Sequence, residues 1–266
     1  MIPAVAAALD KIVGNVAALK NAKGSGRAYE LMVMTAIAEE LSNRSWTVWL
    51  QRSDGTRIAP SDSDRTFYQR GGKPTGVMSG SSGATNASSI VFCRPGSTRE
   101  WEIWNGIQFS GRSGGNHEID LAIVPRSVGI TLRNKPAETI PGGHPTVSIE
   151  CKDYGSVGEA DEMRAFLARL YDLTILSIHA GHIPHWEKPE QHIFPGAPSS
   201  GHGPFSSYWS ANRDTYGALV RRTGFRSGAL SLTSYYAVRA YADVTCGSSQ
   251  LVGFTVDVCD WIVANC

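Results

Sequence analysis

The chain has 266 residues, of which 42% are hydrophobic and 18% are charged, so it has enough apolar residues to bury a sizeable core. Lysine and arginine total 25 against 24 acidic residues, a net charge of +1, which excludes a polycation that binds nucleic acid through its overall field. No run of 18 apolar residues is present, so we expect no transmembrane helix.

The first segments of the chain are predicted to be helical. Residues 1–20 interrupt their apolar stretch with Asp10 and Lys11 and have no preceding positive charge, so we interpret them as an amphipathic helix rather than a signal peptide. A second helix is predicted over 27–42. The five cysteines are odd in number, scattered and without a CxxC pair, which favours a reduced, cytoplasmic protein.

The middle of the chain alternates strands with polar excursions. Strands are predicted over 46–50, 65–69, 89–93, 100–109, 117–124 and 146–152. Residues from about 51 to 115 are expected to form a loop-rich insert. A helix over 158–173 and a strand over 175–178 complete a βαβ unit, which predicts that part of the sheet is parallel.

The last third of the chain differs in character. Residues 181–204 contain five prolines and four of the seven histidines and are predicted to form a loop. A short helix is predicted over 211–222, followed by a β-rich tail over 228–258. We therefore expect one α/β domain over 1–266, with a core at about 25–180 and a β-rich C-terminal extension at about 181–266.

Four polar residues stand at positions that should converge. Residues i and i+2 of a strand share a face and lie about 6.6 Å apart. Glu150 and Lys152 therefore share one face of their strand, while Cys151 points to the other. Asp120 precedes the apolar run LAIV, and Glu30 lies at the centre of the apolar stripe of the second helix. Charged groups in such positions are costly to bury unless they are paired or bind a metal.

These residues resemble the PD-(D/E)xK nuclease superfamily, which has the restriction-endonuclease-like fold. The matching parts are Glu30 on a helix, Asp120 on one hairpin strand, Glu150-Cys151-Lys152 on the next strand, and the helix over 158–173. The match covers roughly residues 25–180, and no proline precedes Asp120 as the full motif would require. The resemblance implies a mixed central sheet flanked by helices.

The same resemblance implies a function and a site. Asp120, Glu150 and the backbone carbonyl of Cys151 would hold Mg²⁺, or Mn²⁺ in its place, and Lys152 would stabilise developing negative charge. Glu30 would bind a second metal or position the lysine. The implied activity is phosphodiester hydrolysis by an endonuclease of the restriction or antiviral-defence type, with double-stranded DNA as the substrate. A homo-oligomer and a nucleotide activator are further expectations.

Other interpretations of the same residues remain open. Glu150 and Lys152 also fit a salt-bridged strand edge, Glu118 fits a hairpin residue, and Glu30 fits an acid favoured by the helix dipole. The fold could serve as a non-catalytic module that binds nucleic acid or a partner. A metal-dependent hydrolase of a smaller phosphate ester is a third possibility.

Three further patterns carry less weight. Residues 111–115 match G-x-S-x-G, but a strand rather than a helix follows, which favours a hairpin turn over a nucleophile elbow. The histidines between 179 and 202 have neither a nearby cysteine nor an HExxH motif, which favours a loop over a zinc site. Arginines cluster with tryptophans and tyrosines over 44–70 and over 208–239, a composition that fits phosphate contacts and solvated loops equally well.

Overall fold

A computed structural model describes most of the chain. The described residues are 2–13, 18–20, 25–69, 88–111, 115–134, 145–173, 215–236 and 238–266. The strand predicted over 175–178, the loop over 181–204 and all of its histidines lie outside these ranges. Among the described residues, no helix is both long enough and apolar enough to cross a membrane.

The described part is an α/β structure built on a mixed sheet of seven strands. Two further strands, β1 (Ala18–Lys20) and β3 (Thr66–Tyr68), pair in parallel as a separate ribbon. The strands of the main sheet, in chain order, are β2 (Thr47–Gln51), β4 (Ser89–Cys93), β5 (Glu100–Ser110), β6 (Asn116–Pro125), β7 (Val147–Lys152), β8 (Tyr216–Arg221) and β9 (Arg239–Tyr241). They follow the same order across the sheet.

Strand direction changes at β7. The pairs from β2 to β7 are antiparallel, whereas β8 and β9 are added in parallel. Two strands within the stretch predicted as an insert, β4 and β5, belong to the central sheet. The part of 51–115 that lies outside the sheet is therefore shorter than the sequence suggests.

Six helices accompany the described strands. They are α1 (Ile2–Val13), α2 (Ser25–Asn43), α3 (Arg126–Asn134), α4 (Ala160–Leu173), α5 (Ser227–Tyr236) and α6 (Ser249–Asn265). Helix α2 packs between the sheet on one side and α1 and α6 on the other. This explains why consecutive residues such as Leu31, Met32, Val33 and Met34 are all buried, since a helix covered on all sides is apolar all round.

Helix α4 covers the other face of the sheet. Its buried residues recur at helical spacing, and four of them pack with α5 against β8: Met163, Phe166, Leu167 and Leu170. The fifth, Leu173, packs with residues of β5 and β6. The connection from β7 through α4 leads to β8, which pairs with β7 in parallel from Val147↔Tyr216 to Lys152↔Arg221. The prediction that part of the sheet is parallel is thus confirmed, with β8 as the described parallel neighbour of β7, whereas the strand predicted over 175–178 lies outside the described residues.

The predictions for the C-terminal part were wrong. The helix expected over 211–222 is the strand β8, because a short apolar run such as YGALVR fits either structure and pairing with β7 decides. The tail expected to be β-rich is mainly helical, since α5 and α6 occupy most of it. Helix α6 contains several β-branched residues, but Phe254, Val258 and Ile262 line one buried face.

Three smaller features concern the end of the first helix, the start of α6 and the cysteines. The first helix ends at Val13 rather than near residue 20, and the strand β1 follows it. The side-chain hydroxyl of Ser248 accepts a hydrogen bond from the Leu251 amide at 3.1 Å and caps the start of α6. All five cysteines are free.

Candidate active site

The candidate site forms where the β6–β7 ladder stops. The last antiparallel pair at this end is Leu121↔Ile149, so the next position outward would set Asp120 against Glu150. Instead, Asp120 Oδ2 accepts a hydrogen bond from the Cys151 amide at 2.8 Å. The Asp120 carboxylate therefore replaces a backbone acceptor in the gap between the two strands. Because side chains alternate along β7, Glu150 and Lys152 lie on the face opposite Cys151.

Glu150 is the most deeply buried acid of the group. Its side chain is 1% exposed, and its Oε1 accepts hydrogen bonds from both Lys152 Nζ and Arg169 Nη2, the latter at 2.6 Å. Lys152 Nζ also lies 4.0 Å from Asp120 Oδ2. The lysine therefore lies between the two carboxylates. The salt bridge between Glu150 and Lys152 that the sequence suggested is present, but Glu150 is buried rather than at a solvated strand edge.

Glu30 reaches the same region from helix α2. Its Oε2 accepts a hydrogen bond from Asn105 Nδ2, and the same amide donates to the backbone oxygen of Asp120 at 3.1 Å. Asn105 on β5 thus links the helix to the strand that carries Asp120. Glu30 is the sixth residue of α2, beyond the first turn, so the helix-dipole explanation does not account for it.

Two of the clustered acids, Asp120 and Glu30, have raised pKa values. Burial, followed by the charges of Glu150 and Glu30, raises the pKa of Asp120 from 3.8 to about 7. Burial, followed by the charges of Glu118 and Glu150, raises the pKa of Glu30 from 4.5 to about 7. Burial by itself lowers the pKa of Lys152, but the neighbouring Glu150 and Asp120 outweigh it, so the pKa of the lysine is raised.

These residues fit a divalent cation. Three acids share the region with two basic side chains, Lys152 and Arg169, so full ionisation of the acids leaves one negative charge without a counter-charge from these two side chains, in line with the raised pKa values of Asp120 and Glu30. Within the described ranges, the buried Glu150 Oε2 has no hydrogen-bond partner, which leaves an oxygen available as a ligand. No three His, Cys, Asp or Glu side chains in the described part form a ready metal-ligand group. Glu30 therefore does not join Asp120 and Glu150 as a third carboxylate ligand in this structure, whereas a set of two carboxylates and one backbone oxygen is not tested by this finding.

Two residues of the site were not found from the sequence. Arg169 extends from α4 to Glu150 and also donates to the backbone oxygen of Glu118 at 3.3 Å. In the sequence, Arg169 stands between core residues of α4, and nothing in that pattern indicates a role in the site. Asn105 offered a weak one, since it is a polar residue within an otherwise apolar strand segment.

The structure also describes three other features considered in the sequence, namely residues 111–115, Glu118 and Cys151. Residues 111–115 join the antiparallel partners β5 and β6, and the Gly111 amide donates to the Gly115 oxygen at 2.7 Å, as expected of a hairpin. The Glu118 side chain is exposed, which agrees with a hairpin residue. The thiol-bearing side chain of Cys151 is buried in the core shared with α2, on the face away from Lys152.

Most described arginines of the two predicted basic clusters have internal partners. Arg52 contacts Asp62 at 2.7 Å, Arg221 contacts Glu162 at 2.5 Å and Arg226 contacts Glu159 at 2.6 Å. The guanidinium groups of Arg57 and Arg239 lie over aromatic rings. The described parts of these clusters are therefore engaged within the fold.

Comparisons of the chain with protein-family models, with curated proteins and with solved structures found no match. The function is therefore inferred from the geometry and chemistry of the residues themselves.

Proposed function

We propose that this protein is a metal-dependent nuclease of the PD-(D/E)xK type that hydrolyses phosphodiester bonds in DNA. The observation that carries this proposal is the meeting of Asp120, Glu150 and Lys152 at the end of the β6–β7 ladder, with Glu30 joined to them through Asn105. The restriction-endonuclease-like fold is part of the proposal. A mixed sheet with antiparallel β5–β6–β7, a helical crossover and a parallel β8 supports it.

Each residue has a distinct chemical role in this proposal. Asp120, Glu150 and the Cys151 carbonyl would hold Mg²⁺, or Mn²⁺, through oxygen ligands. The bound ion would polarise the phosphodiester and lower the pKa of water in contact with it. Asn105 holds Glu30 beside the metal ligands.

Lys152 supplies the fixed positive charge. Its ammonium group lies between the two carboxylates and is oriented by Glu150, so it would stabilise the negative charge that develops on a phosphate bound there. Its raised pKa keeps it protonated at neutral pH.

The substrate and the assembly follow from the chemistry. A nucleic-acid substrate carries one phosphate per nucleotide and presents the diester that this set of residues suits. We propose double-stranded DNA, and cutting both strands requires two sites, so the active form would contain two copies of the chain.

The test is digestion of supercoiled plasmid DNA with Mg²⁺, with Mn²⁺ and with EDTA. Lys152→Ala should lower the rate by about 10²–10³. The variant should still fold, because Arg169 remains paired with Glu150, and it should still bind Mn²⁺, because lysine provides no ligand oxygen. Lys11→Ala is the matched control, since Lys11 is an exposed lysine paired with Glu39 on the opposite side of α2 from the sheet.

The outcomes separate the candidate functions. Cleavage by Lys152→Ala at the wild-type rate would refute the assigned site. DNA binding without cleavage by the wild type under every metal condition would support the non-catalytic module instead. Hydrolysis of bis(p-nitrophenyl) phosphate without cleavage of DNA would support the hydrolase of small phosphate esters.

A further inference from the structure

The pairing of Glu150 is uneven between its two oxygens. Oε1 receives hydrogen bonds from both Lys152 and Arg169, whereas Oε2 has no hydrogen-bond partner among the described residues. The two nearby positively charged side chains thus contact the same oxygen of a carboxylate that is 1% exposed. A divalent cation that approaches Glu150 would meet the positive charge of Arg169 as well as that of Lys152.

The contacts of Arg169 would allow its guanidinium group to move away from Glu150. Its side chain is 25% exposed, and its second contact, to the Glu118 oxygen, is long at 3.3 Å. Arg221 shows the opposite arrangement. That arginine is fully buried, contacts Glu162 and the Ser156 oxygen, and packs its guanidinium over the ring of Tyr154.

We propose that Arg169 switches partners when the site binds metal. In the metal-free protein it neutralises buried Glu150. A divalent cation takes over that charge and frees the guanidinium, which then binds a phosphate group of the nucleic acid beside the site. This inference rests on the proposed function, because it assumes that Glu150 is a metal ligand.

The chemistry of the two states supports the exchange. A buried carboxylate needs a counter-charge at all times; Lys152 supplies part of it in both states, and either Arg169 or the cation can supply the rest. The planar guanidinium fits phosphate as well as carboxylate oxygens, so it can move from one to the other without losing its geometry. The switch would make tight DNA binding depend on a loaded metal site.

The first test measures Mn²⁺ binding by titration calorimetry. Arg169→Gln removes the competing charge but keeps a hydrogen-bond donor, so it should bind Mn²⁺ roughly tenfold more tightly than the wild type. Arg169→Lys keeps the charge and should stay near the wild-type affinity. Arg164→Gln is the matched control, since Arg164 lies on the same helix, is 65% exposed and pairs with Asp161.

The second test measures binding of a labelled DNA duplex over a range of salt concentrations, with Ca²⁺ in place of Mg²⁺ and with EDTA. For the wild type, Ca²⁺ should steepen the dependence of log affinity on log salt by about one unit, the expectation for one added phosphate contact. Arg169→Gln should lose this added slope, whereas Arg164→Gln should retain it.

The results that would overturn the inference are distinct from those against the proposed function. If the wild type binds Mn²⁺ through Asp120 but Arg169→Gln binds it equally or more weakly, Arg169 only holds Glu150 in place and the switch is refuted. If Arg169→Gln binds Mn²⁺ more tightly but keeps the added salt slope, the phosphate contact is refuted. If the wild type shows no Asp120-dependent Mn²⁺ binding, the proposed metal site fails, and the switch fails with it.

Discussion

Replacing Asp120 with asparagine should stabilise the metal-free protein at high pH. Asp120 has a pKa of about 7 in the folded chain against 3.8 as a free side chain, because burial and the charges of Glu150 and Glu30 penalise its ionised form. The unfolded chain therefore releases this proton near pH 4, while the folded chain keeps it to about pH 7. The free energy of unfolding should fall over that interval as the pH rises.

The size of the effect follows from the shift. Three pKa units correspond to about 4 kcal/mol at 1.4 kcal/mol per unit. The Asp120 side chain is 17% exposed, and Glu30 titrates in the same range, so we expect about half of this value. Asp120→Asn should raise the free energy of unfolding by about 2 kcal/mol at pH 8. Asparagine can still accept the Cys151 hydrogen bond, so the local structure should persist.

The measurement is urea unfolding followed by circular dichroism at pH 4 and pH 8 in EDTA. The gain should be present at pH 8 and absent at pH 4, where the wild-type side chain is neutral. Asp161→Asn, whose side chain is 89% exposed, should change stability by less than about 0.5 kcal/mol at either pH. At pH 8, added Mn²⁺ should stabilise the wild type and not Asp120→Asn.

One result would refute this reasoning. If Asp120→Asn destabilised the protein equally at pH 4 and pH 8 in EDTA, the carboxylate would be a favourable structural group. The pKa elevation, and the need for a cation inferred from it, would then be wrong.

Three further predictions concern burial and local packing. Cys151 should react with a thiol reagent much more slowly than exposed Cys246 in the native protein, because burial raises the pKa of the Cys151 thiol; equal rates for single-cysteine variants would contradict its placement. Gly129→Ala should cost about 2 kcal/mol or more in urea unfolding, because the added Cβ would lie 1.9 Å from Glu102 Oε2. In α6, the Cβ added by Gly253→Ala would meet nothing within 4 Å, so the variant should be more stable to urea by about 0.5–1 kcal/mol. A loss of stability in this variant would count against the packing described for α6.

Local sequence pattern located most of the elements. The strands from β2 to β7 and the helices α2 and α4 lie within a few residues of their predicted bounds, because short apolar runs between turn residues favour strands and longer apolar segments favour helices, with three-to-four-residue spacing clear in α4. The same pattern is the reason Glu30, Asp120, Glu150 and Lys152 could be grouped. Each is a charged residue at a position where the surrounding apolar residues predict a buried face.

Tertiary structure decided what local pattern leaves ambiguous. The run YGALVR became strand β8 because β7 offered an unpaired edge, and the β-branched residues of α6 became helical because Phe254, Val258 and Ile262 could bury one face against α2. In both places the free energy of packing exceeded the small differences in intrinsic propensity.

The electrostatics of the site also depend on distant parts of the chain. Asn105 is 75 residues from Glu30, and Arg169 is 19 residues from Glu150, so neither contact can be derived from spacing along the chain. The sequence by itself singled out Glu150 as a buried acid and Glu30, Asp120 and Lys152 as partly buried neighbours of apolar runs, but it did not indicate the buried side chains of Glu102 and Arg221. The three-dimensional packing of α2, β5 and α4 around them decided which oxygen is paired, which is available to a cation, and why two of the acids titrate near neutral pH, because these properties depend on distances between segments that only the folded chain brings together.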